Sequence, residues 1–77
     1  MVTGLVLVKL APGKEKPALA KLKAIPSVIH MSAVFGRWDL VLDMETEDLP
    51  TLSNIVVQEI RGIPGVISTE TLVTTSL

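Results

Sequence analysis

Apolar side chains recur along this chain with two different periods, and the switches between them divide it into elements. Gly4 to Leu10 is a nearly unbroken apolar, branched run that stops at Ala11-Pro12-Gly13. A short run of that kind closed by a turn signal reads as a strand. From Lys14 to Ile25 the spacing changes: Ala18, Leu22 and Ile25 stand at i, i+4 and i+7, joined by Leu19, while Glu15, Lys16, Lys21 and Lys23 line the other side. This predicts an amphipathic helix, with Pro17 near its first turn where a missing N–H costs least. Pro26 ends the helix, and Val28 to Phe35 resumes an extended pattern that runs to Gly36.

The second half repeats the scheme. Asp39 to Glu45 alternates Leu40, Leu42 and Met44 with Val41, Asp43 and Glu45, which reads as a half-covered strand. Asp48 can cap a helix with Pro50 in its first turn and Leu49, Leu52, Val56 and Ile60 on one face, closed by Gly62 and Pro64. Val66 to Thr75, rich in β-branched residues, forms the last strand. A weak internal repeat marks the symmetry: Ala24-Ile25-Pro26-Ser27-Val28-Ile29 returns as Gly62-Ile63-Pro64-Gly65-Val66-Ile67, each copy standing between a helix and a strand.

The order βαββαβ with right-handed crossovers folds most simply as an α+β, ferredoxin-like sandwich of four antiparallel strands with two helices on one face. The other sheet face is then bare. The first strand alternates Leu5, Leu7 and Lys9 with Val6, Val8 and Leu10, so either choice of inner face leaves apolar side chains on the outer one. Two sheets are therefore expected to pack face to face, giving a dimeric α+β barrel.

Composition narrows the picture. At 77 residues, 1–77 is a single domain, and 48% apolar against 19% charged residues is the composition of a packed globule. With no cysteine, disulfides, thiolate metal sites and cysteine nucleophiles are excluded, and the cytoplasm is the expected compartment. No stretch is long and apolar enough to span a membrane, and the start lacks the features of a signal peptide. A net charge of −1 without a basic run argues against direct DNA binding.

Candidate chemistry is sparse, and no cofactor is implied. His30, the single histidine, reads as a packed or interface residue of an apolar strand and not as a general base. Asp43, Glu45, Glu47 and Asp48 lack the spacing of a calcium loop and read as a strand end followed by a helix cap. There is no Cys-x-x-Cys for a metal chaperone, and Leu5 to Val8 stand where an RNA-recognition sheet would need aromatic side chains. What remains is Phe35-Gly36-Arg37-Trp38-Asp39, which joins the halves. It reads either as a hairpin that needs Gly36 at positive φ, or as a small-ligand site where backbone N–H groups receive a carboxylate and Asp39 pairs with an ammonium.

Gly36-Arg37-Trp38-Asp39 followed by Leu40-Val41-Leu42 resembles the Gly-x-aromatic-Asp segment of the Lrp/AsnC family effector domain, the RAM module. Ile63-Pro64-Gly65-Val66 with Thr69 and Thr71 is similar to the same family's last strand, and the likeness runs from Gly4 to Thr75. The resemblance implies a non-enzymatic, amino-acid-binding regulatory module that dimerises through its sheet and closes into octameric or decameric rings, with the effector between dimers. Gly36 and Arg37 would supply backbone donors to the effector carboxylate, Asp39 would take its ammonium, Trp38 would wall the pocket, and Thr69 and Thr71 would form the opposite wall. Asp39, at a strand start, is expected to serve the ligand and not the fold. Tryptophan stands where tyrosine is more usual, and no helix-turn-helix precedes the first strand, so the module is expected to stand alone and to act through full-length Lrp/AsnC regulators. The rival readings are a cofactor-independent monooxygenase-like barrel enzyme, which needs His30 and Trp38 in one enclosed cavity, a purely structural oligomer, and an ACT-like domain.

Overall fold

The computed structural model describes residues 1–74, in the order β1 (Val2–Leu10), α1 (Glu15–Lys23), β2 (Val28–Ala33), β3 (Leu40–Thr46), α2 (Leu49–Ile55) with a π-helical turn (Val56–Ile60), and β4 (Val66–Val73). The expected end of the last strand at Thr75 lies outside the described residues. The strands form one antiparallel sheet in the order β2-β3-β1-β4, the ferredoxin-like α+β arrangement. Among the described residues, no helix is long and apolar enough to cross a membrane.

Register decides which face of β1 is buried. Val6, Val8 and Leu10 face the helices together with Leu40, Leu42 and Met44 of β3, and all six are buried. Ala18 and Leu22 of α1, Leu52 of α2 and Val56 and Ile60 of the π turn close this core from the other side. Fully burying a leucine or valine gives roughly 1.5–3 kcal/mol, so this single layer supplies most of what a small domain can gain from apolar burial. The helix approaches β1 so closely that a Cβ at Gly4 would stand 2.9 Å from Leu52 Cδ2, hence the glycine.

The internal repeat has a direct structural meaning. In each half the isoleucine before the proline is buried, and its carbonyl accepts the N–H of the valine that starts the next strand: Val28 to Ile25 at 3.0 Å and Val66 to Ile63 at 3.1 Å. Both helices thus hand over to their strands through the same three-residue turn. The second turn also uses Gly65 at φ 100°, whose carbonyl accepts the Ala11 N–H at 2.7 Å and ties it to the end of β1.

Two local expectations change. The second helix is not a single α-helix: Arg61 N–H donates to Val56 O at 2.9 Å, five residues back, so the last turn is wider. Leu49, expected on the inner face, is 50% exposed because it sits in the first helical turn, beyond the core formed by Leu52, Val56 and Ile60. The cap is as expected, with Asp48 Oδ1 accepting the Thr51 N–H at 2.8 Å. β2 ends at Ala33 and not at Phe35, because the chain leaves the sheet to turn at Gly36.

Candidate functional site

The joint between the halves is built on three hydrogen bonds made by one residue. Asp39 N–H donates to Val8 O at 2.9 Å, Asp39 O accepts the Val34 N–H at 3.0 Å, and Asp39 Oδ2 accepts the Leu10 N–H at 2.8 Å. The last bond has a simple cause. Antiparallel pairing of Val8 with Leu40 would bring Leu10 opposite Trp38, but the chain has already left β3 there, and the carboxylate takes the place of the missing strand carbonyl. Asp39 therefore holds the fold as well as facing the loop, contrary to the expectation that it serves only a ligand.

Beyond Asp39, the hairpin projects into solvent. Gly36 turns the chain at φ 125°, the left-handed region that only glycine enters freely. Gly36 and Arg37 are exposed, Trp38 is half-buried, and Phe35 is fully exposed at the tip. Lys9 Nζ lies 3.5 Å from Arg37 O, on the same end of the sheet.

Thr69 and Thr71 lie elsewhere. They pair with Val8 and Val6 and so share the helix-facing side of β4. There they line a cavity of about 250 Å³ under α2 and the π turn, whose apolar wall is Leu49, Leu52, Val56 and Val57 and whose polar wall adds Ser53 and Arg61. Arg61 also lines an adjoining cavity of about 300 Å³ with Thr69 and Ser68. Sequence reasoning did not single out Arg61. The only local signal was a cation where a helix stops, and its nearness to Thr69 and Thr71 depends on β4 returning beneath the helix.

One chain does not bring the two groups together. None of Gly36, Arg37, Trp38 and Asp39 lines the cavity of Thr69 and Thr71. Asp39 attaches to the β3 side of β1 and the threonines to its β4 side, so the two are separated by two strand spacings, about 10 Å of backbone.

The outer sheet face carries Leu5, 37% exposed, and Leu72, 48% exposed, in register with each other, beside half-buried Leu7 and Val41. His30 is on this face, exposed in the single chain and not packed, with Nδ1 3.4 Å from Asp43 Oδ2 and 3.4 Å from Ser32 Oγ. Both partners meet the same nitrogen. A nucleophilic triad needs its hydroxyl and its carboxylate on different ring nitrogens, so this trio does not form one. The cavity that His30 lines with Lys23 and Met31 does not include Trp38, so within one chain the two side chains named by the barrel-enzyme reading do not share a cavity. Among the described residues, no three His, Asp or Glu side chains are placed to hold a metal ion. Asp48 spends its carboxylate on the helix cap, and hydrogen bonds from the Thr51 side chain and then its amide hold it below the ordinary carboxylate range.

Comparison with known proteins places these features in context. A family model described as the Lrp/AsnC ligand binding domain matches residues 3–76. An uncharacterized HTH-type transcriptional regulator of Pyrococcus furiosus is 30% identical over 74 residues, covering 92% of this chain and 49% of its own length. The chain spans about half the length of the curated relatives it matches. Among solved structures, FFRP-DM1 is 35% identical with a TM-score of 0.91, and the match covers 97% of this chain and 100% of that one. The transcriptional regulator NMB0573 of Neisseria meningitidis, solved as a complex with L-Met, shares the fold at 18% identity and a TM-score of 0.90, over 97% of this chain and 50% of that one.

Proposed function

Because the chain belongs to the Lrp/AsnC ligand-binding domain family, we propose that it is an amino-acid-binding regulatory module whose site is completed only between copies of the chain. The observation that carries this reading is the separation of the two half-sites. The hairpin with Gly36, Arg37, Trp38 and Asp39 and the groove with Thr69, Thr71 and Arg61 sit on opposite sides of β1, and each is open to solvent. A hairpin laid against a neighbour's groove would enclose a small zwitterion from both sides.

An amino acid brings a carboxylate and an ammonium, both strongly hydrated, and a site must replace that water with hydrogen bonds to each. The hairpin amides at Gly36 and Arg37 and the guanidinium of Arg61 suit the carboxylate, Arg61 by its planar fork of donors. Asp39 suits the ammonium through Oδ1, its Oδ2 being taken by Leu10. Trp38 and the apolar wall of the groove would receive the side chain. The L-Met complex of the Neisseria regulator, which has the same fold, is of the ligand class proposed here.

Assembly follows from the outer sheet face, where Leu5, Leu7, Val41 and Leu72 would pack against the same face of a second copy, and dimers would then join through hairpin and groove into rings. The module would act on full-length regulators of its family by mixed assembly, in the cytoplasm, and the net charge of −1 of these 77 residues suits a protein partner better than DNA.

The test is a thermal-shift screen of the twenty amino acids, with assembly size followed by sedimentation. One amino acid or a small related set should raise Tm, since a ligand that binds only the folded state at a hundredfold excess over Kd adds roughly 2.7 kcal/mol. Arg61→Ala should abolish the shift while leaving the unliganded melt in place. No shift with any amino acid, or a shift that survives Arg61→Ala unchanged, would overturn the reading.

A further inference from the structure

The outer sheet face has a polar device set in its apolar centre. Asp43 stands on β3, one of the two central strands, opposite His30 on the edge strand β2 and opposite Leu5 on β1. The imidazole and the carboxylate are 3.4 Å apart, with side chains 65% and 38% exposed. Other charges on this face are set apart from the pair. Glu45 is two residues along β3, Glu70 is on β4 opposite Leu7, and Lys9 is at the hairpin end of β1, directed to Arg37 O. From α1, Lys23 lines one cavity together with His30. Ser32 adds a hydroxyl to the same imidazole nitrogen.

Resting on the open-face dimer described above, we propose that the His30–Asp43 pair makes that dimer a proton-linked assembly, each copy taking up a proton at His30 as the sheets close. Sheets packed face to face lie about 10 Å apart, and a residue on a central strand cannot stay at the wet rim. Closure therefore strips water from Asp43. A carboxylate removed from water beside a neutral imidazole is costly, whereas beside an imidazolium it becomes half of a hydrogen-bonded ion pair. Imidazole is the side chain that changes charge between pH 5 and 8. The sign follows: protonated His30 gains in the dimer, so the extra dimer stability is present at the acid end of that range and is lost as pH rises.

A two-fold dimer holds two such pairs, and a linkage of up to two protons changes Kd by up to about 100-fold per pH unit at its steepest. Carboxylates are ordinarily ionised above about pH 5.5, but closure that strips water from Glu45 and Glu70 would favour the dimer at acid pH in the same sense, so it is the loss of the dependence in His30→Gln that assigns it to the imidazole.

Sedimentation equilibrium of the parent, His30→Gln and Asp43→Asn at pH 5.5 and 8.0, with circular dichroism to follow the fold, tests the proposal. The parent should dimerise at least about 10-fold more tightly at pH 5.5. His30→Gln should lose the dependence, and Asp43→Asn should reverse it, because a protonated His30 would then be buried without a partner. A parent dimer whose Kd does not move with pH, a His30→Gln dimer that keeps the parent's dependence, or an Asp43→Asn dimer that behaves as the parent overturns the proton linkage alone. A parent that is monomeric at both pH values overturns the open-face dimer itself.

Discussion

Replacement of Asp39 separates its structural role from the ligand-binding role proposed for it. Asp39→Ala removes the acceptor of the Leu10 N–H, and Leu10 is 6% exposed, so the amide is left with little access to water. A hydrogen bond to a charged group contributes roughly 1.5–3 kcal/mol, and the partial exposure of Asp39 puts its loss at the lower end, about 1–2 kcal/mol. For a domain of this size each kcal/mol shifts Tm by about 4–8 °C, so the alanine variant should melt roughly 5–15 °C below the parent. Asp39→Asn keeps an amide oxygen for Leu10 while losing the charge, and should melt within a few degrees of the parent. Binding should respond differently. If the site is as proposed, both variants lose the partner of the effector ammonium and should bind about 2–5 kcal/mol more weakly, the usual cost of breaking a buried charged pair. Thermal melts without ligand and calorimetric titration with whichever amino acid stabilises the parent give the two readouts. Equal melting temperatures for Asp39→Ala and the parent would refute the strand-completing role. Parent-like binding by Asp39→Asn would refute the ammonium role.

Three further outcomes are expected. Gly65→Ala should destabilise by more than about 2 kcal/mol in urea melts, because an L-residue in the left-handed region costs roughly 1–2 kcal/mol and the added Cβ would lie 2.8 Å from Lys14 Cβ and 3.2 Å from Lys14 O; a parent-like melt would refute the account of this turn. Trp38→Ala should change which amino acid gives the largest thermal shift while leaving the sheet intact by circular dichroism. Asp48 has its carboxyl held low by Thr51, so its contribution to α2 is present above the ordinary aspartate range and is lost as pH falls through the lowered value; Asp48→Ala should flatten the acid limb of a stability-against-pH curve.

Much of this protein is legible from short stretches of sequence. The elements follow from local period, the turns from Pro12-Gly13, Ile25-Pro26 and Ile63-Pro64-Gly65, and the family likeness from Gly36 to Asp39 and from Thr69 and Thr71 in that order, since each of these signals is carried by residues close together in the chain. Register and strand order are not local. That Val6, Val8 and Leu10 are the inner set, that Asp39 completes the sheet for Leu10, that Arg61 lines one cavity with Thr69 and Thr71 and that His30 meets Asp43 all depend on where β3 and β4 come to lie beside β1 and β2. A shift of one residue in a pairing would turn the side chains of the shifted strand to the opposite face. The sequence alone therefore determined which segments are strands and helices, and the tertiary structure decided which side chains can act together.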